Sequence, residues 1–114
     1  MTVKALKDSL KLDVICSSEQ GMNRNISSAI VCDLHSYVMA KAKENAAWLT
    51  ILGDINSIAV CIFSNISVLI LTGDETLDSD AMQKAKEYNV VVLRSYKSSF
   101  QLSFEIHELL DSEK

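Results

Sequence analysis

Three short aliphatic runs, set about twenty residues apart, constrain this chain more than any other feature in it. Trp48-Leu49-Thr50-Ile51-Leu52-Gly53-Asp54 is echoed twenty residues on by Val68-Leu69-Ile70-Leu71-Thr72-Gly73-Asp74, and a third run, Val90-Val91-Val92-Leu93, follows 22 later. Each is short, rich in aliphatic and β-branched residues, and lacks polar alternation. Such runs are strands buried on both faces. Between them, Ile55, Ile58, Ala59, Ile62 and Phe63 fall at i, i+3, i+4, i+7 and i+8, the spacing of a helix that lays one side on a sheet. The segment from Ser79 to Tyr88 predicts another helix, opened by Asp78 and Asp80 at the positive end of its dipole and burying Met82 and Ala85. Connections of this length suit right-handed crossovers between parallel strands. The predicted fold is therefore α/β: a mostly parallel sheet of four to five strands with helices on both faces, built from consecutive βα units.

The flanks fit the same plan. Thr2 caps a short amphipathic helix carrying Val3, Leu6 and Leu10, Leu12 to Cys16 reads as a strand, and a turn is expected near Glu19-Gln20-Gly21. Ile26 to Cys32 reads as the next strand, after which Asp33 caps a helix from about Leu34 to Lys43 that turns Leu34, Val38 and Ala42 inward. The last helix starts at Ser98, with Gln101 completing a capping box, and continues to about Leu110. It carries two apolar stripes, Leu102, Ile106, Leu109 and Leu110 on one and Phe100 and Phe104 on the other. One sheet face covers one stripe. The second stripe, with His107 beside it, is expected either to form a homodimer contact or to lie under the first helix of the same chain. No linker, low-complexity tract or charge block divides residues 1–114, so one domain is expected.

Composition removes several function classes. Eleven Lys and Arg against fifteen Asp and Glu give a net charge of −4, which leaves no basic surplus for nucleic acid. The three glycines, Gly21, Gly53 and Gly73, stand too far apart for either phosphate-cradling glycine motif, which excludes a P-loop kinase. The opening residues hold spread charges and no apolar secretory region, and the stretch Ile58–Leu71 is interrupted by Ser64, Asn65 and Ser67. A cytoplasmic location without membrane contact is expected. Cys16, Cys32 and Cys61 are odd in number and widely spaced, so they read as free thiols and not as a disulfide frame or zinc site.

In an open parallel sheet, ligands bind outside the carboxyl ends of the strands. That rule selects Asp33, His35 and Ser36; Gly53, Asp54 and Asn56; Thr72, Gly73 and Asp74; and Tyr96 and Lys97 as candidate ligand-binding residues. The Gly-Asp pairs suit close backbone approach with a cation or amine nearby, and equally suit a strand end followed by a helix cap. Cys32-Asp33-x-His35 contains metal-ligand types, but neighbouring residues of an extended segment point to opposite faces and no further ligands are spaced to join them. No metal and no catalytic set is expected, and His107 has no evident nucleophile to serve.

The segment Asn23 to Met39, with Ala47-Trp48-Leu49-Thr50-Ile51 and Ile55-Asn56-Ser57-Ile58-Ala59-Val60, resembles stand-alone DRTGG-domain proteins over almost the whole chain. In the motif that names the family, Asn23 stands for the acidic residue, Arg24 for the arginine, Ser27 for the threonine, and Ser28 and Ala29 near the glycines; only the arginine is kept. The resemblance implies a small α/β accessory module, often dimerising, related to the N-terminal domain of HPr kinase/phosphorylase and found beside CBS domains in pyrophosphatases. It implies no cofactor and no activity of its own. The expected function is a non-catalytic regulatory or interaction module, a homodimer that meets a regulatory protein partner. The alternative is a small-molecule sensor, with a nucleotide as ligand, Tyr96 stacking on a base and Lys97 meeting a phosphate.

Overall fold

The computed structural model describes residues 1–113. Its elements run α1 (Val3–Leu10), β1 (Asp13–Cys16), α2 (Glu19–Met22), β2 (Ser28–Val31), α3 (His35–Lys41), β3 (Ala46–Thr50), α4 (Ile55–Phe63), β4 (Val68–Leu71), α5 (Ser79–Glu87), β5 (Val92–Arg94) and α6 (Ser99–Ser112). One sheet of five strands, in the order β1-β5-β4-β3-β2, holds them together. The pairs β2–β3, β3–β4 and β4–β5 are parallel, and β1 joins β5 antiparallel. The α/β fold with helices on both faces is thus as the sequence predicts.

The three aliphatic runs occupy the interior of the sheet, where alternate residues feed two cores. On one face, Val38, Ile58, Cys61, Ala81 and Ala85 from α3, α4 and α5 pack on Trp48, Leu69, Leu71 and Val92. On the other, Val3 and Leu6 of α1 and Leu102 and Ile106 of α6 pack on Ala47, Leu49, Ile70 and Leu93. Consecutive crossovers of one hand between adjacent strands put their helices on one side. The switch comes after β5, whose following helix crosses to the opposite face.

Local chemistry explains most boundaries. Thr2, Asp54 and Ser98 accept backbone N–H groups of the first turns of α1, α4 and α6. Asn45, Asn65 and Asn89 take left-handed backbone, with φ of 65°, 54° and 58°, just ahead of β3, β4 and β5. In a chain with so few glycines, asparagine supplies the positive-φ hinge that returns each helix to the sheet.

Several expectations need correction. The turn at residues 19–21 is the short helix α2, because Ser18 caps it through the Gly21 N–H. Asp33 does not cap α3; Leu34 occupies that position without a side-chain bond, and Leu34 is exposed rather than turned inward. In α4 the inward residues are Ser57, Ile58, Val60 and Cys61, while Ile62 and Phe63 are exposed. That helix is apolar nearly all round, so spacing alone did not select the face, and the Asp54–Ser57 cap turned it. The first helix does not cover the second stripe of α6: Phe100 and Phe104 are 84% and 55% exposed.

Candidate ligand site at the strand ends

Because β2 to β5 run parallel, the loops after all four emerge along one edge of the sheet, and the antiparallel β1 begins there too. The candidate residues Asp33, His35, Ser36, Gly53, Asp54, Asn56, Thr72, Gly73, Asp74, Tyr96 and Lys97 therefore share that edge. Several of their side chains are already committed to neighbours within the protein.

At the β2–β3 end, one Asp33 carboxylate oxygen accepts from the Thr50 hydroxyl at 2.7 Å and from the Ile51 N–H at 3.0 Å. The carboxylate ties two strand ends together instead of starting a helix. Next to it, His35 Nε2 lies 2.9 Å from Ser57 Oγ and 3.3 Å from Asp54 Oδ1, with the ring edge-on to Trp48. Ser57 has one hydroxyl hydrogen, shared between two acceptors, the Leu52 carbonyl at 2.7 Å and Asp54 Oδ1 at 2.9 Å, which leaves His35 as donor. A fully buried serine that donates to backbone is not presented to a substrate. His35 is better described as a pin between α3 and α4. Burial pushes the Asp54 carboxyl up, but the Ser57 N–H and hydroxyl press harder the other way and leave it below its usual range.

At the β4–β5 end the two loops are zipped. Gly73 N–H donates to the Lys97 carbonyl at 2.8 Å and Asp74 N–H to the Ser95 carbonyl at 3.0 Å, while the Thr72 and Ser99 hydroxyls meet at 2.6 Å. Gly73 and Asp74 both sit at positive φ to make that turn. Here the loop after β4 leads to one face and the loop after β5 to the other, the place where a crevice is expected in an open α/β sheet. Backbone fills it. Lys97 is also occupied, its ammonium donating to both oxygens of Glu105, which is held below its ordinary value by Lys97 and Gln101 and raises Lys97 in return.

The opening lies one strand over. A cleft of about 320 Å³ where β5 ends and β1 begins, beside the end of α1, is lined by Leu10, Lys11, Asp13, Arg94, Ser95, Tyr96 and Lys97. Arg94 was not among the sequence candidates, nor were Lys11 and Asp13. A cation closing an otherwise aliphatic run was the available signal for Arg94; its pairing with Asp13 depends on β1, whose place beside β5 no local pattern reveals.

The remnant motif sits elsewhere. Arg24 lies at the opposite edge, where its guanidinium donates to the Ile66 carbonyl at 2.8 Å, to Asn45 Oδ1 at 3.0 Å, and to both oxygens of Asn65 at 2.9 Å. It clamps the loops entering β3 and β4. Asn23 ends α2, Ser27 precedes β2, and Ser28 and Ala29 begin it, so none of the five adjoins the strand-end loops. Among the described residues, no group of three or more His, Cys, Asp or Glu is placed to hold a metal, and no helix is long and apolar enough to cross a membrane.

The profile of the DRTGG domain matches residues 5–109. The chain belongs to the DRTGG domain family. A solved structure of the CBS and DRTGG domains of the regulatory region of Clostridium perfringens pyrophosphatase, complexed with the activator diadenosine tetraphosphate, shares the fold with a TM-score of 0.72 at 21% identity. The alignment covers 90% of this chain and 44% of that one, so this DRTGG chain spans less than half of its neighbour's length. No curated protein matches the chain.

Proposed function

We propose that this chain is a non-catalytic cytoplasmic regulatory module that acts as a homodimer through the outward face of α6. The observation that carries the reading is the pair Phe100 and Phe104, one helical turn apart and 84% and 55% exposed, on a helix whose other stripe buries Leu102 and Ile106 in the core and partly buries Leu109 and Leu110. Aromatic side chains one turn apart on a surface helix are a poor solution for water and a good one for a self-complementary interface. His107 continues the same face beside a groove of about 340 Å³ that separates α6 from β2, an edge strand that pairs only with β3 among the described residues. The three free thiols suit a reducing compartment. In this reading the strand-end loops remain open to a regulatory protein partner. Sedimentation velocity at micromolar concentration is expected to show a dimer, and the double variant Phe100→Ser/Phe104→Ser a folded monomer. A wild-type monomer throughout that range overturns the proposal.

A second reading, a nucleotide sensor working from the strand-end edge, is favoured by the open cleft between β5 and β1 and by the nucleotide activator bound to the neighbouring pyrophosphatase region.

A further inference from the structure

The geometry points to a mononucleotide site in the cleft between β5 and β1, with Arg94 as its phosphate anchor and Tyr96 as the platform for its base. This rests on the sensor reading above and assigns it to particular residues.

The cleft leaves one buried polar atom of its lining without a hydrogen bond. Arg94 Nε is shut off from solvent and has no hydrogen-bond partner; its ion pair with Asp74 Oδ1 is a loose one, at 3.7 Å. Arg94 is the register partner of Asp13 across the β1–β5 pair, yet the two side chains form no ion pair. The Arg94 side chain as a whole is 32% exposed, and a fork of guanidinium N–H donors fixed at the end of an interior strand is the arrangement that grips a phosphate or carboxylate bidentately. Lys97 cannot supply that role because Glu105 neutralises it. Lys11, exposed where α1 ends, contributes a second cation to the lining.

The rest of the lining narrows the ligand class. Tyr96 is 78% exposed and offers an unobstructed ring at the rim. An aromatic face beside a cation pair fits a base joined to a phosphate, since base stacking tolerates any base and adds to the anion contact. Asp13 opposes a bare anion but accepts hydrogen bonds from a sugar hydroxyl or a base N–H, so the cleft favours a nucleotide over inorganic phosphate. Its volume of about 320 Å³ is at the small end of ligand sites, which typically run from roughly 300 to 1,000 Å³. It takes one nucleoside monophosphate; a two-headed dinucleotide tetraphosphate does not fit inside it.

The test is isothermal titration of the full chain with the four common nucleoside monophosphates, with adenosine, inorganic phosphate and diadenosine tetraphosphate as comparators. At least one monophosphate is expected to bind, with the nucleoside alone and phosphate alone each weaker by tenfold or more. Arg94→Gln and Tyr96→Ser are each expected to weaken it about tenfold or more. If circular dichroism shows that Arg94→Gln does not fold, Tyr96→Ser and Lys11→Gln, which change exposed side chains, decide the question. Binding of a monophosphate with unchanged affinity in the folded variants overturns the cleft and leaves the sensor reading standing. Failure of every nucleotide to bind the wild type overturns both. Inorganic phosphate binding as tightly as the nucleotides overturns the role of Tyr96 and with it this site.

Discussion

Removing the guanidinium of Arg24 should cost this domain more than its half-exposed position suggests. Four hydrogen bonds run from it to neutral acceptors on two loops, and those to the Ile66 carbonyl and Asn45 Oδ1 are part-buried. Hydrogen bonds involving a charged donor are worth about 1.5–3 kcal/mol each where water cannot substitute. The two bonds to Asn65 are exposed and their acceptors regain water, so they add little. The part-buried pair then sets the expectation, about 3 kcal/mol lost in Arg24→Ala. With a urea slope of about 1.5 kcal/mol/M for a chain of this size, the unfolding midpoint should fall by roughly 2 M without a change in slope. Arg24→Lys should recover only a minor part, because an ammonium cannot span both loops at once. The assay is equilibrium urea unfolding followed by tryptophan fluorescence, since Trp48 is fully buried and reports loss of the core. A midpoint shift equivalent to less than about 1 kcal/mol in the alanine variant would refute the clamp.

Three further outcomes are expected. A Cβ at Gly53 would run into the Thr76 carbonyl, in the loop whose Asp78 N–H bonds back to the Gly53 carbonyl at 2.8 Å, so Gly53→Ala should lower the thermal midpoint by several degrees; an unchanged midpoint contradicts the close approach. Asp54 binds its proton less readily folded than unfolded, so its contribution is complete above the ordinary carboxylate value near pH 4 and is lost as pH falls through the lower folded value. The drop in urea midpoint from pH 7 to pH 3 should therefore be smaller in Asp54→Asn than in the wild type, and equal drops would show that the cap carries no such linkage. Burial pushes the thiols of Cys16 and Cys61 up, whereas Cys32 is half-exposed at the end of β2, so a thiol reagent at pH 8 should label Cys32 first and the other two only on unfolding; fast labelling of all three is the opposing result.

How far the sequence reaches differs between fold and site. Strands β3 and β4 are legible because their residues are buried on both faces, so the periodicity carries a uniform signal that local context cannot blur. The asparagines at 45, 65 and 89 repeat that signal at the helix exits, and their spacing ahead of three aliphatic runs was available to be read. The face of α4 was not, because a helix apolar on most sides is oriented by its cap and neighbours. Asp33 illustrates the same limit at the site: its carboxylate was free to cap the helix beside it or to bridge to the next strand, and only the approach of Thr50 and Ile51 made the bridge the better bond.

Periodicity alone therefore settles that the chain alternates strand and helix and that its strand-end loops gather along one edge, since parallel strands linked by crossovers must all point one way. Which part of that edge is open is a tertiary decision. Backbone bonds between the β4 and β5 loops close the crevice where the helices change face, and the antiparallel return of β1 opens another beside Arg94. The first depends on bonds such as Gly73 to Lys97, the second on strands as far apart in sequence as Asp13 and Arg94, and no local pattern of side chains encodes either.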